Sequence, residues 1–238
     1  MEHKKVAILF YGLAKSIHRT IDSIQTNLFT PLTDNSIHYD VFIHTNKIFG
    51  EYHNIWTNEN TDDYINPDIE TLLKPKYFIW DDQETVINSI DFNEYYTNLG
   101  NWTGMCEEMT KYLIKNMCLA LYSKKQISLL FEKYKHEYDY AIIVRPDMYI
   151  YNKIDIDYFN EINDNNIIIP EKDWFAGCND RFCIGKPSII LECGKLFDEL
   201  KEYSEKISII SERFFLDKLK EKNISIISKN IEYEQIRI

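Results

Sequence analysis

One short apolar segment constrains the fold of this chain more than any other stretch. Residues Tyr140–Val144 are apolar and partly β-branched, which predicts a strand buried on both faces of a sheet. The run ends abruptly in Arg145-Pro146-Asp147, where Pro146 has no N–H with which to continue the ladder. Open α/β sheets bind ligands beyond the carboxyl ends of their central strands. We therefore expect Arg145 and Asp147 to mark a site for a charged ligand, including one that carries a metal ion.

The periodicity of the remaining sequence predicts an α/β fold, with a mostly parallel central sheet flanked by helices in a single domain over residues 1–238. The first strand, helix and second strand are close enough to imply parallel strands joined by a right-handed crossover. Polar, Asn-rich segments predict surface excursions at 46–74, with a short helix near Leu72, and at 81–101. The predicted strands are 5–11, 38–45, 77–80, 140–144, 167–169, 182–184, 224–227 and 231–238. The predicted helices are 15–29, stopping at Pro31, then 105–134 as one helix or two, 188–205 and 212–222.

Composition excludes several classes of protein. The 238 residues carry a net charge of −11, which disfavours a general nucleic-acid binder, although local cations can still bind a phosphate-bearing ligand. The five cysteines form no Cys-x-x-Cys pair, and their odd number favours a reducing compartment. The longest N-terminal apolar run, Val6 to Phe10, is far shorter than the ~20 residues of a membrane span and resembles no signal peptide. We expect a cytoplasmic protein, in the host cytoplasm if the source is viral, with no integral membrane segment.

The turn after the first strand is a candidate phosphate site. Its sequence, Tyr11-Gly12-Leu13-Ala14-Lys15-Ser16, is not a P-loop, because Leu9 and Ala14 stand where that motif has glycines. The dinucleotide fingerprint Gly-x-Gly-x-x-Gly is absent as well. What remains is a turn whose amides, with Lys15 and Ser16, can meet a phosphate or a base, or else an ordinary strand-to-helix turn. His44 and Thr45 end the second strand at the same edge, either lining the pocket or serving the structure.

Carboxylates define two further candidates. Asp147 can supply the hard oxygen that a divalent cation on a diphosphate requires, or it can cap the strand end or pair with Arg145. In the segment 173–182, Trp174 and Phe175 can stack on a sugar ring and Asp180 can accept a hydroxyl proton. The alternative for that segment is a turn in which Asn179 and Asp180 satisfy local amides. Ser211-Glu212 has the composition of a simple helix start, with Ser as N-cap and an acidic first turn.

Taken in order, these pieces resemble a GT-A glycosyltransferase, a Rossmann-like fold. Such enzymes carry Asp-x-Asp after the apolar strand, and that motif holds a divalent metal on the sugar-nucleotide diphosphate. Here the triplet keeps the second carboxylate, Asp147, and has Arg145 in place of the first. More specifically, the chain is similar to small glycosyltransferases of large DNA viruses and bacteria. The marks shared with them are Tyr11 to Ser16, Asp40 to Thr45, Arg145 to Asp147, Asn179 to Phe182 and Ser211-Glu212.

The resemblance implies a hexosyltransferase of glycan biosynthesis that moves a sugar from a nucleotide-diphosphate sugar to a glycan or other hydroxyl acceptor. It implies a catalytic base at Asp180 or Glu212, and Mn²⁺ or Mg²⁺ on Asp147. With Arg145 in the motif, the metal binds more weakly or the guanidinium neutralises the diphosphate directly. The residues implied in nucleotide-sugar binding are Tyr11, Gly12, Lys15, Ser16, His44, Thr45, Arg145, Asp147 and Trp174. The missing first Asp supports an alternative, a catalytically inactive glycosyltransferase-like domain that binds a glycan or a partner protein.

Overall fold

The computed structural model describes residues 4–100 and 105–237. Residues 1–3, 101–104 and 238 lie outside them, and so do the last positions of the predicted excursion 81–101 and of the predicted strand 231–238. The strands are β1 Lys5–Tyr11, β2 His38–Lys47, β3 Tyr52–Asn54, β4 Glu59–Thr61, β5 Tyr77–Asp82, β6 Tyr140–Val144, β7 Met148–Ile150, β8 Asn166–Pro170, β9 Phe182–Gly185, β10 Ser225–Lys229 and β11 Tyr233–Gln235. The α-helices are α1 Ile17–Ile24, α2 Thr30–Asp34, α3 Ile69–Leu73, α4 Gln83–Ser89, α5 Glu107–Glu132, α6 Tyr158–Glu161, α7 Pro187–Gly194, α8 Leu200–Lys206 and α9 Ser211–Glu221.

Seven strands form the central sheet, in the order β10-β8-β9-β6-β1-β2-β5. Only β9 runs antiparallel to its neighbours, β6 and β8. The predicted α/β class with a mostly parallel sheet is therefore confirmed. Because the other six strands point the same way, their carboxyl ends meet at one edge of the sheet. The start of β9 lies at that edge too, since Val144 is in register with Phe182. This edge gathers the β1 turn, the segment after β6 and the loop 171–181.

The two faces of the sheet bury separate apolar cores. Along β1, Ala7 and Leu9 belong to one core, and Val6, Ile8 and Phe10 belong to the other. This alternation is what a fully apolar strand produces in the middle of a sheet covered on both faces. The strand β6 is buried at all five positions in the same way. Each fully buried Ile, Leu or Phe contributes about 1.5–3 kcal/mol relative to an exposed one, so the central strands hold the sheet edge firmly in place.

The predicted end of the first helix at Pro31 is wrong. Helix α1 is followed by a π-helical turn over Gln25–Phe29, and α2 then continues through Pro31 to Asp34. Proline usually ends a helix because it leaves the carbonyl four residues earlier without a donor. Here that carbonyl belongs to Asn27, and it accepts the N–H of Ile154 at 2.8 Å instead. A donor from a distant loop therefore lets the helical path continue.

Several predicted elements differ in extent. The segment 46–74 contains the hairpin β3–β4 as well as the expected short helix α3, and 81–101 contains α4. The segment 105–134 forms one helix, α5, of 26 residues. In the predicted strand 231–238 only Tyr233–Gln235 is a strand, and it pairs with β7 outside the main sheet. This pairing brings the residues after 234 beside Arg145 and Asp147. None of the helices in the described part of the chain is long and apolar enough to cross a membrane.

Candidate functional site

A cleft of about 1040 Å³ opens at the carboxyl edge of the sheet. Its walls are the β1 turn, the hairpin β3–β4, one face of α5, the loop 171–181, the start of α9 and the last described residues. The sequence-predicted residues that line it are Tyr11, Gly12, Lys15, Arg145, Asp180 and Glu212. Those that do not are Ser16, His44, Thr45, Asp147 and Trp174. Distant segments of the sequence therefore converge on one cleft, and about half of the predicted residues face it.

The β1 turn is fixed by hydrogen bonds that the sequence did not reveal. Gly12 has a φ of +92°, a backbone conformation that favours glycine, and its N–H donates to the Ser123 hydroxyl at 2.7 Å. Lys15 is buried in an ion pair with Glu59 and contacts the Tyr52 hydroxyl at 3.1 Å. Burial lowers the pKa of Lys15, although Glu59 opposes that effect. The Gly12 amide and Lys15 thus bind the protein itself, and the turn serves as a rigid wall of the cleft.

His44 lies between Ser123, which holds the β1 turn, and Asp81 near the end of β5. Its Nδ1 lies 2.7 Å from the Ser123 hydroxyl and its Nε2 lies 3.1 Å from Asp81. The ring is 1% exposed, and burial lowers its pKa. This Ser–His–Asp order superficially suggests an activated nucleophile. Ser123, however, is fully buried and does not line the cleft. These three hydrogen-bonded residues are therefore better explained as support for the Gly12 turn. Thr45 lines a separate, smaller cavity.

Arg145 and Asp147 form a two-point ion pair at the end of β6. Arg145 Nε donates to Asp147 Oδ1 at 2.9 Å, and Nη2 donates to Oδ2 at 2.7 Å. Burial alone would raise the pKa of Asp147, but the guanidinium outweighs burial and lowers it. The Asp147 side chain is wholly buried, whereas that of Arg145 is 18% exposed. The cation of this motif, and not its carboxylate, therefore reaches the cleft.

The hydrogen bonds of Arg145 and Asp147 continue into β11 and the residues that follow it. Gln235 donates from Nε2 to Asp147 Oδ2 at 2.8 Å and accepts from Arg237 Nη2 through Oε1 at 2.7 Å. Ser16, which the sequence placed in the nucleotide site, instead donates to the Ile236 carbonyl at 2.8 Å. The main chain of Ile236 in turn donates to the Asp147 carbonyl at 2.8 Å. The guanidinium groups of Arg145 and Arg237 are thus linked through the Asp147 carboxylate and the side-chain amide of Gln235.

Asp180 and Glu212, the two candidates for catalytic base, are neighbours on the other side of the cleft. Glu212 Oε1 accepts from Arg181 at 3.1 Å, and Asp180 Oδ2 accepts from the Ser211 hydroxyl. The predicted N-cap role of Ser211 is therefore wrong, because its hydroxyl caps no helix amide. Asn179 does satisfy local amides, those of Arg181 and Phe182, as the turn alternative predicted. Burial and then the charge of Asp180 raise the pKa of Glu212, which favours its protonated form.

Among the cleft residues that the sequence did not single out are Lys124, Gln235 and Arg237. Lys124 is 2% exposed, and its amine donates to the Asp180 carbonyl at 2.8 Å. Within the described residues it makes no ion pair, and it lies over the rings of Tyr11 and Phe215. One signal for Lys124 was present: it falls on the apolar face of α5 between Leu121 and Phe131. Gln235 and Arg237 carried no comparable signal.

Trp174 and Phe175 have different environments. The Trp174 indole N–H donates to the Pro170 carbonyl at 2.7 Å, and its ring packs against the apolar core. Phe175 is 76% exposed and lines the cleft, with the Arg181 guanidinium 5.9 Å from its ring centre. Its φ of +36° is unusual for a bulky residue and is held by the bonded loop around it, as at many binding sites. Of these two aromatic residues, Phe175 is therefore the one whose ring is exposed in the cleft.

This difference gives a paired prediction. Changing Trp174 to alanine should lower the free energy of unfolding by roughly 2 kcal/mol, because a partly buried ring and a hydrogen bond are lost. Changing Phe175 to alanine should alter it by less than about 0.5 kcal/mol, as for an exposed side chain, but should weaken binding of the ligand. Urea unfolding and ligand titration of both variants check this. Equal destabilisation by the two changes would contradict the assignment.

The site residues can be tested against the predicted Mn²⁺ or Mg²⁺. A divalent cation at the β6 end needs a carboxylate with free oxygen lone pairs that reach the cleft. Both oxygens of Asp147 already accept from Arg145 or Gln235, and Arg145 lines the cleft whereas the wholly buried Asp147 does not. This arrangement matches the alternative in which Asp147 pairs with Arg145, and it does not fit a metal ion there.

The cleft therefore combines guanidinium groups, which suit phosphate oxygens, with a carboxylate pair that suits a hydroxyl. Comparison of the sequence with protein-family models and with curated proteins finds no match in either case.

Proposed function

We propose that this chain is a glycosyltransferase of GT-A type that moves a hexose from a nucleotide-diphosphate sugar to a hydroxyl of a glycan or another acceptor. The observation that carries the proposal is that Arg145 and the pair Asp180–Glu212 face the same cleft at the carboxyl edge of the sheet. The charge of Asp180 acts on Arg145, so the cationic and carboxylate sides are close. A donor diphosphate on the cationic side and an acceptor hydroxyl on the carboxylate side would then lie within one cleft.

In the proposed reaction, the acceptor oxygen attacks the anomeric carbon as the bond from that carbon to the diphosphate oxygen breaks. The acceptor proton passes to the Asp180–Glu212 pair, and the electron pair of the broken bond leaves with the nucleoside diphosphate. Arg145 stabilises the charge that develops on this leaving group. The Asp180 side chain is the more exposed of the two carboxylates, at 18% against 9%, so it is the one nearer the solvent and the acceptor.

The proposed enzyme acts in the cytoplasm. The cysteines of the described residues are all free thiols, and four of the five are buried. That chemistry agrees with a reducing compartment.

Nucleotide release tests the proposal. The protein is incubated with a panel of UDP and GDP sugars, with and without Mn²⁺, and free UDP or GDP is measured alongside the melting temperature. A donor at 100 times its dissociation constant should raise the melting temperature by roughly 5–10 °C. Changing Asp180 to asparagine or Glu212 to glutamine should keep that rise and lower turnover by roughly 10²- to 10⁴-fold.

Lys206→Ala serves as the control, because it removes a charge from an exposed position on α8, away from the cleft. It should behave as the parent protein in both measurements. If no nucleotide sugar of the panel raises the melting temperature or releases nucleotide, the proposal fails.

The state of the carboxylates favours one second candidate, a domain that binds sugar nucleotides or glycans without turnover. Glu212 has Arg181 as a partner and Asp180 has Ser211, so both carboxylates already have hydrogen bonds inside the protein. A donor-dependent rise in melting temperature without nucleotide release, on any acceptor offered, would favour this candidate.

Stability as a function of pH gives an independent test of Glu212. Its pKa is raised above 4.5 in the folded protein, so folding favours the protonated carboxyl. Protonation of Glu212 therefore adds stability below its unfolded pKa, and this contribution is lost as pH rises through the folded pKa. The stability of Glu212→Gln against urea, measured relative to the parent protein, should therefore be greater at neutral pH than at pH values below 4.5. A difference from the parent that does not change with pH would contradict this.

A further inference from the structure

We propose that the donor diphosphate binds to Arg145 and Arg237 without a divalent cation, and that Asp147 and Gln235 act as positioning residues for these two guanidinium groups. This inference rests on the proposed transferase function and specifies its donor site. It also gives Asp147 a role different from that of a metal ligand. Four observations support it: three concern the linked residues Arg145, Asp147, Gln235 and Arg237, and one concerns Arg181.

The first is the free edge of Arg145. A guanidinium offers five N–H groups in a planar fork and can bind two partners in the two-point manner. Asp147 occupies the edge formed by Nε and Nη2. Nη1 has no hydrogen-bond partner among the described residues, and it lies 3.9 Å from where a Cβ on Gly12 would stand. The edge formed by Nη1 and Nη2 therefore remains for an anion between the β1 turn and the end of β6.

The second observation is the state of Arg237. Its guanidinium lines the cleft and donates to the Gln235 side-chain carbonyl. Among residues 4–100 and 105–237, no carboxylate forms an ion pair with it, in a protein that carries a net charge of −11. Burial lowers its pKa, and the charge of Arg145 lowers it further although Asp147 opposes both. Asp147 and Glu59 act on Arg237 through their charges without forming an ion pair with it, so its guanidinium can still bind a phosphate.

The third observation is the position of Arg181. The charge of Arg145 acts on it as well, and its Nη1 is buried without a hydrogen-bond partner, 3.9 Å from Asp180. Arg181 lines the same cleft, forms an ion pair with Glu212 and lies over the exposed ring of Phe175. It therefore adds a third cation, on the carboxylate side of the cleft.

The fourth observation concerns Asp147. A carboxylate that held a metal would need an oxygen directed at the metal ion, whereas both oxygens of Asp147 are directed at Arg145 and Gln235. It orients one guanidinium directly and the other through Gln235. Arginine suits this task better than lysine, because its planar fork matches two phosphate oxygens at once.

Calorimetric titration of UDP and GDP tests the inference, carried out once with EDTA and once with Mn²⁺. The parent protein should bind the same nucleoside diphosphate equally well in both. Arg145→Lys and Arg237→Ala should each weaken binding in EDTA by roughly 10- to 100-fold, the worth of one charge-assisted interaction. Asp147→Asn and Gln235→Ala should weaken it to a smaller extent, and raising the salt concentration should reduce the differences among all variants.

If Asp147→Asn fails to fold, Gln235→Ala still tests the positioning role, because Gln235 lies in the two-stranded sheet outside the main sheet. Lys206→Ala again controls for the loss of one positive charge. Binding that requires Mn²⁺ would overturn the metal-free site and leave the transferase proposal standing. Binding in EDTA that Arg237→Ala and Gln235→Ala leave unchanged would also overturn it. Failure to bind either nucleotide under both conditions, without turnover, would overturn both proposals.

Discussion

Replacing Asp147 with alanine is expected to lower the free energy of unfolding by about 3–5 kcal/mol, because removing one partner of a buried pair leaves the other charge without compensation. Asp147 is fully buried and its two oxygens accept three hydrogen bonds. Its loss would leave both Arg145 and Gln235 without their shared acceptor. Urea unfolding followed by circular dichroism measures the change. Because Arg145 is partly exposed, we expect a value near the lower end of the range.

Two comparisons sharpen this prediction. Removing both partners, in Arg145→Ala with Asp147→Ala, should cost less than the sum of the single changes, since no buried charge is then left alone. Asp22→Ala, an exposed carboxylate on α1, should change stability by less than about 0.5 kcal/mol. The pKa of Asp147 is lowered on folding, so its contribution is present above the ordinary value of 3.8 and is lost as pH falls through the folded pKa. Additive single effects would contradict the pairing.

The second large effect is expected at Gly177. A Cβ added there would stand 2.0 Å from the carbonyl oxygen of Glu212 and 2.4 Å from the amide nitrogen of Arg213. Both are main-chain atoms at the start of α9, so no side-chain rotation relieves the overlap. Gly177→Ala should therefore separate the loop 171–181 from α9 and break the hydrogen bond of 3.1 Å from the Cys178 amide to Glu212. We expect a loss of about 3 kcal/mol, at the upper end for overpacking.

The same change should lower turnover by more than the loss of folded protein explains, because Asp180 and Glu212 lie on the two segments that are pushed apart. Gly50→Ala is a matched control. Gly50 has a φ of +105°, but nothing lies within 4 Å of an added Cβ, so it reports the cost of backbone conformation alone. That cost should be about 1–2 kcal/mol. If Gly177→Ala is no worse than Gly50→Ala, the close contact between the loop and α9 does not matter.

The strands of the main sheet could be predicted because they are nearly continuous apolar runs. Val6 to Phe10 and Tyr140 to Val144 are buried on both faces, and their composition alone indicates this. The extent of the first helix could not be predicted, because the outcome at Pro31 depends on a donor 123 residues away from it in sequence, Ile154. The hairpin β3–β4 was missed because its short strands are polar. Local sequence determines the elements where burial dominates, and distant partners determine them elsewhere.

The candidate site shows the same division. Arg145, Asp180 and Glu212 stood out because each follows or precedes a recognisable element, and the structure places all three on one cleft. His44 and Asp147 stood out for the same reason, and the sequence offered the pairing of Asp147 with Arg145 as an alternative. It could not show that His44 faces Ser123 and Asp81 or that Asp147 faces Gln235. Which way a side chain points depends on the element packed against it. Helix α5 and strand β11, which decide those cases, are far away in the sequence.

The pairing of β11 with β7 has a consequence for the order of assembly. The Ser16 hydroxyl meets the Ile236 carbonyl across 220 positions of the chain, and Gln235 meets Asp147 across 88. Contacts between such distant residues form slowly, because a long loop must close before they are made. The anionic ligand proposed for this cleft would therefore bind only after both ends of the described chain have met. Its binding would report completed folding, and a partly folded chain with an intact central sheet would not respond to it.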